Sequence, residues 1–81
     1  MTYKELDTVV LARDLPEHGL KAGDLGAIVL VTSSEILEVE FVRASGQTQA
    51  LVTLPHDAVR PVRDEDLIAV RSVSRGSRGA A

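Results

Sequence analysis

The chain contains no cysteine and no tryptophan, and Tyr3 and Phe41 are its only aromatic residues. The lack of cysteine excludes disulfides, thiolate metal ligands and thiol nucleophiles, so burial of apolar surface must stabilise the fold. Because so few rings are present, Val, Leu, Ile and Ala must fill the core, and branched aliphatic residues favour strands. At 81 residues the chain makes one small domain, and a deep catalytic cavity is not expected.

Long apolar runs are also missing from the sequence. No stretch approaches the ~20 apolar residues of a membrane-spanning helix. The N-terminal segment MTYKELDTVVLARD lacks the basic and then apolar pattern of a secretion signal. We therefore predict a cytoplasmic protein without a membrane partner.

Basic residues are scarce in most of the chain. Residues 1–62 hold nine acidic and five basic side chains, whereas residues 63–81 hold three acidic and four basic ones. An acidic body repels phosphate backbones, which proteins usually recognise with clustered Lys and Arg. Arg71, Arg75 and Arg78 lie in the basic tail, but no aromatic residue accompanies them for base stacking, so nucleic acid is not the predicted partner.

What the chain does contain is a series of short aliphatic segments separated by turn residues. They predict five strands, at residues 6–12, 25–32, 36–43, 48–54 and 59–62. The clearest alternation lies in the third strand, where Leu37, Val39 and Phe41 are predicted to face the core and Glu38 and Glu40 to face solvent. The inward residues predicted in the fourth strand are Ala50, Val52 and Leu54.

The connections between these strands are rich in glycine and proline. Residues 15–19 and 21–24 predict two turns with Gly19 and Gly23 at positive φ, and residues 44–47 predict a tight hairpin. Gly26 lies within the second strand, which indicates a bend or a close backbone approach. Residues 55–58 suit a single 3₁₀ turn. A long first loop, five short strands and this turn predict a mainly β fold, a small five-stranded SH3-like barrel over residues 1–62.

The remainder of the chain, residues 63–81, forms a C-terminal extension. Asp64 is placed to cap a short helix that carries Leu67, Val70 and Val73 on one side, and this helix is slightly favoured over an extra strand at residues 67–70. The last eight residues, SRGSRGAA, are predicted to be flexible unless a partner holds them.

Three segments of the chain carry a resemblance to a known family: LDTVVLARDLPEHGLKAGDLGAIV, LEVEFV and ALVTLPHDAVRPV. In this order and spacing, the chain resembles a bacterial family of small SH3-like proteins classified as a domain of unknown function, number 4926. The resemblance covers roughly Tyr3 to Val62 and leaves out the tail. It implies a compact barrel with some likeness to the barrel of nitrile hydratase-type subunits. It also implies a role as the companion of another small bacterial protein, in some pairs an antitoxin or immunity protein beside a toxin. It supplies no catalytic residues.

The residues offer little chemistry of their own. The two histidines, His18 and His56, have acidic neighbours but no metal-ligand spacing, so they are interpreted as polar turn residues. Glu38 and Glu40 share one strand face, yet an acid–base pair needs a shielded pocket, and no serine has a triad pattern around it. The GxxG of Gly23 and Gly26 is interpreted as turn geometry, since an acid lies within it. No enzyme activity, cofactor or metal is predicted.

The sequence holds more apolar surface than one barrel interior can take. Ile28 and Leu30 alternate with Ala27, Val29 and Val31 in the second strand, so both faces of that strand are apolar. Barrel corners and the extension can cover part of this surface, and a protein interface is the equal alternative. The acidic first loop would suit a basic partner. The predicted partner-binding residues are Asp14, Glu17, His18, Ile28, Leu30, Leu67, Val70 and Arg71.

We therefore predict a non-enzymatic protein-binding module, most specifically an antitoxin or immunity-type companion of a basic toxin. An accessory or assembly subunit of an enzyme is the alternative, and a nucleic-acid-binding barrel is the less favoured one. A homodimer through the apolar face stays open.

Overall fold

The computed structural model describes residues 2–73 of the chain, which fold into one antiparallel sheet. Its strands within that range are β1 (Thr8–Leu11), β2 (Leu25–Val31), β3 (Ile36–Val42), β4 (Thr48–Pro55) and β5 (Val59–Pro61). The strand order is β4-β3-β2-β1-β5, so β2 to β4 form a meander and β1 joins it to the short edge strand β5. A 3₁₀ turn, His56–Ala58, immediately precedes β5. The prediction of a mainly β, five-stranded SH3-like fold is confirmed.

The loop between β1 and β2 is built from two consecutive turns. A 3₁₀ turn at Pro16–His18 ends at Gly19, whose φ of 70° lies in the left-handed region that favours glycine. Gly23 has a φ of 100°, as the second predicted turn requires. Leu15 and Leu20 exchange two backbone hydrogen bonds of 2.9 and 3.1 Å across the loop. The loop therefore returns β2 against β1, with Thr8 opposite Ala27.

The first strand begins two residues later than the aliphatic pattern predicts. Leu6 has a φ of 75° and is 83% exposed, because residues 4–7 form a turn before the strand. The Asp7 carboxylate closes this turn by accepting a hydrogen bond from the Lys4 backbone N–H at 3.0 Å. That hydrogen bond, together with the contact to the Lys4 side chain, holds the pKa of Asp7 below its usual value.

The core lies on one side of the sheet. Leu37, Val39 and Phe41 of β3 are buried as predicted, and Gly26 of β2 lies directly against two of them. A Cβ atom on Gly26 would lie 2.7 Å from a Val39 methyl and 2.8 Å from the Phe41 ring. The predicted close approach at Gly26 is thus confirmed. The remaining core residues are Val9, Leu11, Leu20, Ile28, Val52, Leu54, Ala58 and Val59.

A register shift in β2 decides which of its aliphatic residues are buried. Ile28 pairs with Val39 and Leu30 pairs with Glu38, so Val29 is an extra residue between them. The bulge moves Leu30 to the outer face, where it is 44% exposed, whereas Ile28 stays in the core at 0%. The prediction that Ile28 and Leu30 share one partner-binding face is therefore wrong for Ile28.

The extension forms neither the predicted helix nor the alternative strand over residues 66–73. Asp64 does not cap a helix, since residues 63–66 close a single turn in which the Asp66 N–H donates to the Arg63 carbonyl at 3.0 Å. Beyond this turn, ion pairs of Asp66 and Arg71 attach the chain to the barrel. The flexibility predicted for the last eight residues concerns residues outside the described part of the chain.

Within residues 2–73, no helix has the length and apolar character that a membrane span requires.

Candidate functional site

Residues 66–73, called the arm below, leave the barrel after β5 and are attached to it at both ends. At the first attachment Arg60 of β5 donates two hydrogen bonds of 2.9 Å to the two Asp66 carboxylate oxygens. The Arg63 backbone N–H donates a third, at 2.6 Å. The hydrogen bonds from Arg60 and Arg63 lower the pKa of Asp66 to about 2. This carboxylate therefore stays ionised throughout the neutral range.

The second attachment joins the far end of the arm to the loop before β2. Arg71 donates from Nε to the Asp24 Oδ1 at 2.9 Å and from Nη2 to Oδ2, and also donates to the Gly19 carbonyl at 3.1 Å. Burial opposes ionisation of Asp24, but the Arg71 and Lys21 hydrogen bonds outweigh it and the pKa of Asp24 lies below its usual value. A bidentate arginine–carboxylate pair fixes orientation as well as distance.

Between the two attachments the arm presents its aliphatic side chains to solvent. Leu67 is 92% exposed and Val70 is 96% exposed, and Ile68 between them is exposed as well. In contrast, Val73 lies close to Gly19, within 3.5 Å of where a Cβ on that glycine would be. The arm is therefore fixed at both ends, while Leu67, Ile68 and Val70 make no contact within residues 2–73 large enough to bury them.

A groove of about 700 Å³ lies between the arm and the β3–β4 hairpin. Its apolar walls come from the barrel through Leu20, Leu25 and Val42, and from the arm through Leu67 and Val70. The charged groups on this groove already have partners, since Asp24 binds Arg71 and the Arg43 guanidinium donates to the Gln49 side chain at 2.8 Å. The groove thus offers apolar contact rather than an unpaired acid or base.

The first loop lies beside the arm, so the structure brings most of the predicted partner-binding residues together. The Asp14 carboxylate accepts a hydrogen bond from the Ala22 N–H at 2.9 Å, and its charge acts on Arg71. His18 is half-buried, and its carbonyl accepts a hydrogen bond from Gln49 of β4 at 3.0 Å. Glu17 is exposed on the same 3₁₀ turn. Asp14 and Glu17 therefore form an acidic border beside the arm, with the half-buried His18 between Glu17 and Gly19.

Leu30 belongs to a different surface, which we call the outer face. It comprises the solvent side of β2, β3 and β4, with exposed Leu25, Leu30, Val42 and Leu51. Leu25 and Val42 also line the groove, so the outer face and the groove are continuous. Ile28 contributes to neither, because it lies in the core.

The histidines take different positions in the structure. Among the described residues, no group of three or more potential ligands is placed to hold a metal ion. His56 is half-buried and packs edge-on against Tyr3, with ring centres 5.4 Å apart. Its Nε2 is buried and has no hydrogen-bond partner in residues 2–73. His56 is thus a turn residue, as interpreted, but it is half-buried and not open to water, since Tyr3 packs against it.

The chain was compared with protein families, curated proteins and solved structures. The model of one family, described as Domain of unknown function (DUF4926), matches residues 5–61. The chain belongs to the DUF4926 family. No curated protein and no solved structure matches the chain. The DUF4926 match ends at the last residue of β5, so it includes the barrel and the first loop and leaves the arm outside.

Sequence reasoning missed the residues that hold the arm in place. Asp24 was assigned to a turn, and its pairing with Arg71 joins positions 47 residues apart, for which no local pattern exists. Asp66 was part of a predicted helix start, and its pairing with Arg60 depends on the chain reversing after Pro61. Aspartate is common in turns that contain glycine, so the local sequence does not distinguish Asp24, which binds Arg71, from an ordinary turn residue.

Replacing the Asp24 carboxylate is expected to release the arm while the barrel stays folded. Asp24→Asn removes the charge that binds Arg71, and a partly exposed surface ion pair contributes only about 1 kcal/mol or less to global stability. We expect faster tryptic cleavage after Arg71 and loss of amide protection in residues 66–73, with a loss of global stability no larger than about 1 kcal/mol. Asp57→Asn, which breaks the exposed Arg13–Asp57 pair, is the matched control.

Both attachments of the arm should weaken in acid. The pKa values of Asp24 and Asp66 are lowered in the folded chain, so the stabilisation is complete above their unfolded values and is lost as pH falls through the lowered ones. The amide protection factors of residues 66–73 should therefore be insensitive to pH between 7 and 5 and should fall only below about pH 4. Equal protection in wild type and Asp24→Asn at neutral pH would contradict the assigned role.

Proposed function

We propose that this chain is a non-enzymatic module that binds another protein through the arm, the groove and the acidic first loop. The observation that carries the proposal is the arm, because Leu67 and Val70 are almost fully exposed on a segment that two ion pairs hold in place. Exposed apolar side chains in a contiguous patch mark contact sites. A segment that is already ordered loses less conformational entropy when a partner covers it.

The most specific version of the proposal is a companion of the antitoxin or immunity type that acts in the cytoplasm. The acidic border of Asp14 and Glu17 beside the groove supports it, since it suits a basic partner such as a toxin that acts on nucleic acid. The alternative, an accessory subunit of an enzyme, would use the same arm and groove. Deletion of the gene separates the two, because it releases toxicity in the first case and removes an enzyme activity in the second.

Replacing the exposed apolar side chains of the arm should weaken binding of the partner protein. In a capture from nuclease-treated host lysate at high salt, the tagged chain is expected to retain a protein in stoichiometric amount. The variant Leu67→Ser/Val70→Ser should retain it at least about tenfold less, since losing two apolar contacts at an interface removes 1.4 kcal/mol or more. Quantitative mass spectrometry of the retained fraction measures this ratio.

Leu6→Ser is the matched control for this capture. Leu6 is also an exposed leucine, at 83%, but it lies in the N-terminal turn outside the proposed surface. It should leave retention unchanged. The proposal fails when no protein is retained, or when the arm variant retains as much as the wild type.

A further inference from the structure

The outer face combines exposed aliphatic residues with two carboxylates in a regular arrangement. Register places Glu40 between Ala27 and Leu51, and Glu38 between Leu30 and Thr53. Leu25 and Val42 lie on the same side of the sheet, toward the groove. The four exposed aliphatic residues of this face are between 37% and 57% exposed.

Glu38 and Glu40 have no cationic partner among the described residues. The four ion pairs of residues 2–73 involve other carboxylates, and the only side-chain hydrogen bond to either glutamate comes from the Thr48 hydroxyl to Glu40. Both glutamates are half-buried among their neighbours. Two negative charges on a face of aliphatic and threonine side chains therefore lack a positive charge beside them within residues 2–73.

This charge pattern excludes several partners of the outer face. Nucleic acids and anionic lipid surfaces carry phosphate charges, which Glu38 and Glu40 would repel. A second copy of the chain, bound through the same face, would bring four carboxylates together, because a two-fold interface pairs each patch with itself. A protein segment that carries cationic side chains between aliphatic ones complements both the charge and the apolar surface of the outer face.

β3 is hydrogen-bonded on both sides, by β2 and β4, so a partner on this face meets its side chains and not its backbone, and one face of a helix matches the spacing of the two glutamates. Glu38 and Glu40 are two residues apart on β3, so their side chains leave the sheet about 7 Å apart. Residues four apart on a helix are separated by about 6 Å along its axis and share one face. Two arginines at such positions would each reach one carboxylate. Leucines on the same face of the partner helix would then contact Leu30 and Leu51.

We propose that the outer face binds an amphipathic helix of another protein, with Arg or Lys four residues apart between aliphatic residues. This inference rests on the proposed protein-binding function and adds the chemistry of the partner. The seven residues of β3 span about 23 Å, which a helix of about 15 residues covers. The continuity through Leu25 and Val42 lets the same partner extend into the groove beside the arm.

The test uses the full chain, labelled with ¹⁵N, and two synthetic helical peptides of about 18 residues. Both have the same leucine face, and one carries an Arg pair four residues apart where the other carries Glu. The cationic peptide is expected to shift the amide signals of Leu30, Glu38, Glu40 and Leu51. The anionic peptide is expected to shift none of them.

Variants then separate charge from general apolar contact. Glu38→Gln/Glu40→Gln should bind the cationic peptide about tenfold more weakly, since two charge-assisted contacts are lost. The control Glu5→Gln/Glu35→Gln makes the same change in net charge at exposed positions outside the outer face and should bind like the wild type. Circular dichroism of all variants confirms that each is folded.

Three results would overturn the inference: equal binding of the two peptides, no binding of the cationic one, or shifts confined to the arm and the first loop. Self-association of the chain through the outer face, measured by sedimentation, would also overturn it. These failures differ from failure of the proposed function. The lysate capture with the arm variant can succeed while the peptide test fails, and then protein binding stands and only the chemistry assigned to the outer face falls.

Discussion

Phe41→Ala is expected to destabilise the barrel by about 3–5 kcal/mol, the range for removing a buried phenylalanine ring. Phe41 is the largest fully buried side chain, at 2% exposure, and Tyr3, only partly buried, is the other aromatic residue of the chain. A domain of this length has a total stability of roughly 4–12 kcal/mol. The variant should therefore be largely unfolded or lose much of its resistance to urea, as measured by far-ultraviolet circular dichroism.

Val42→Ala provides the control for this loss. Val42 is the next residue of the same strand, but it lies on the outer face and is 50% exposed. Truncating it leaves no cavity, so the loss should stay at or below about 1 kcal/mol, the range of strand propensity. A loss below about 1.5 kcal/mol for Phe41→Ala would mean that the ring does not organise the core.

Gly26→Ala should destabilise the barrel by about 1–3 kcal/mol although it adds only one methyl group. The backbone of Gly26 is not in the left-handed region, so alanine adopts it without strain. The added Cβ would instead meet Val39 at 2.7 Å and Phe41 at 2.8 Å. Either these side chains leave their preferred rotamers or β2 moves away from β3. Urea unfolding of the single variant measures the loss.

A second substitution shows whether this loss comes from packing. Phe41→Leu makes room beside position 26, so the double variant with Gly26→Ala should be more stable than the sum of the two single losses predicts. Gly23→Ala should show no such coupling, because Gly23 has a φ of 100° and nothing within 4 Å of its Cβ position. Strict additivity of Gly26→Ala and Phe41→Leu would contradict the packing explanation.

Local patterns were sufficient where neighbouring residues in the chain decide the structure. The alternation of β3, the glycine turns at Gly19 and Gly23, and the 3₁₀ turn before β5 all depend on side-chain periodicity or on backbone conformations over a few residues. The predicted strand ends differ from the observed ones by one or two residues, most clearly at Leu6. An aliphatic residue in a turn of positive φ fits the sequence pattern of a strand, so the pattern does not exclude it.

The surface was predicted less well, since it depends on contacts between distant residues. The composition indicated more apolar residues than one core can bury, and the structure places that excess on the arm and the outer face. Leu67, Val70 and Arg71 were predicted to belong to one region with the first loop, and the structure does bring the arm to that loop. Ile28 was assigned to the surface because alternation alone does not reveal the bulge at Val29.

The sequence by itself determined that this chain makes a small β domain with an aliphatic core and an acidic body, because these follow from composition and from the periodicity of neighbouring residues. Its membership of the DUF4926 family follows from the match over residues 5–61. Only the tertiary structure decided that residues 66–73 form an arm that is neither helix nor strand, since Arg71 and Asp24 meet only after the barrel has formed. It also decided that Glu38 and Glu40 lie uncompensated among exposed aliphatic residues, because strand register sets which charges become neighbours.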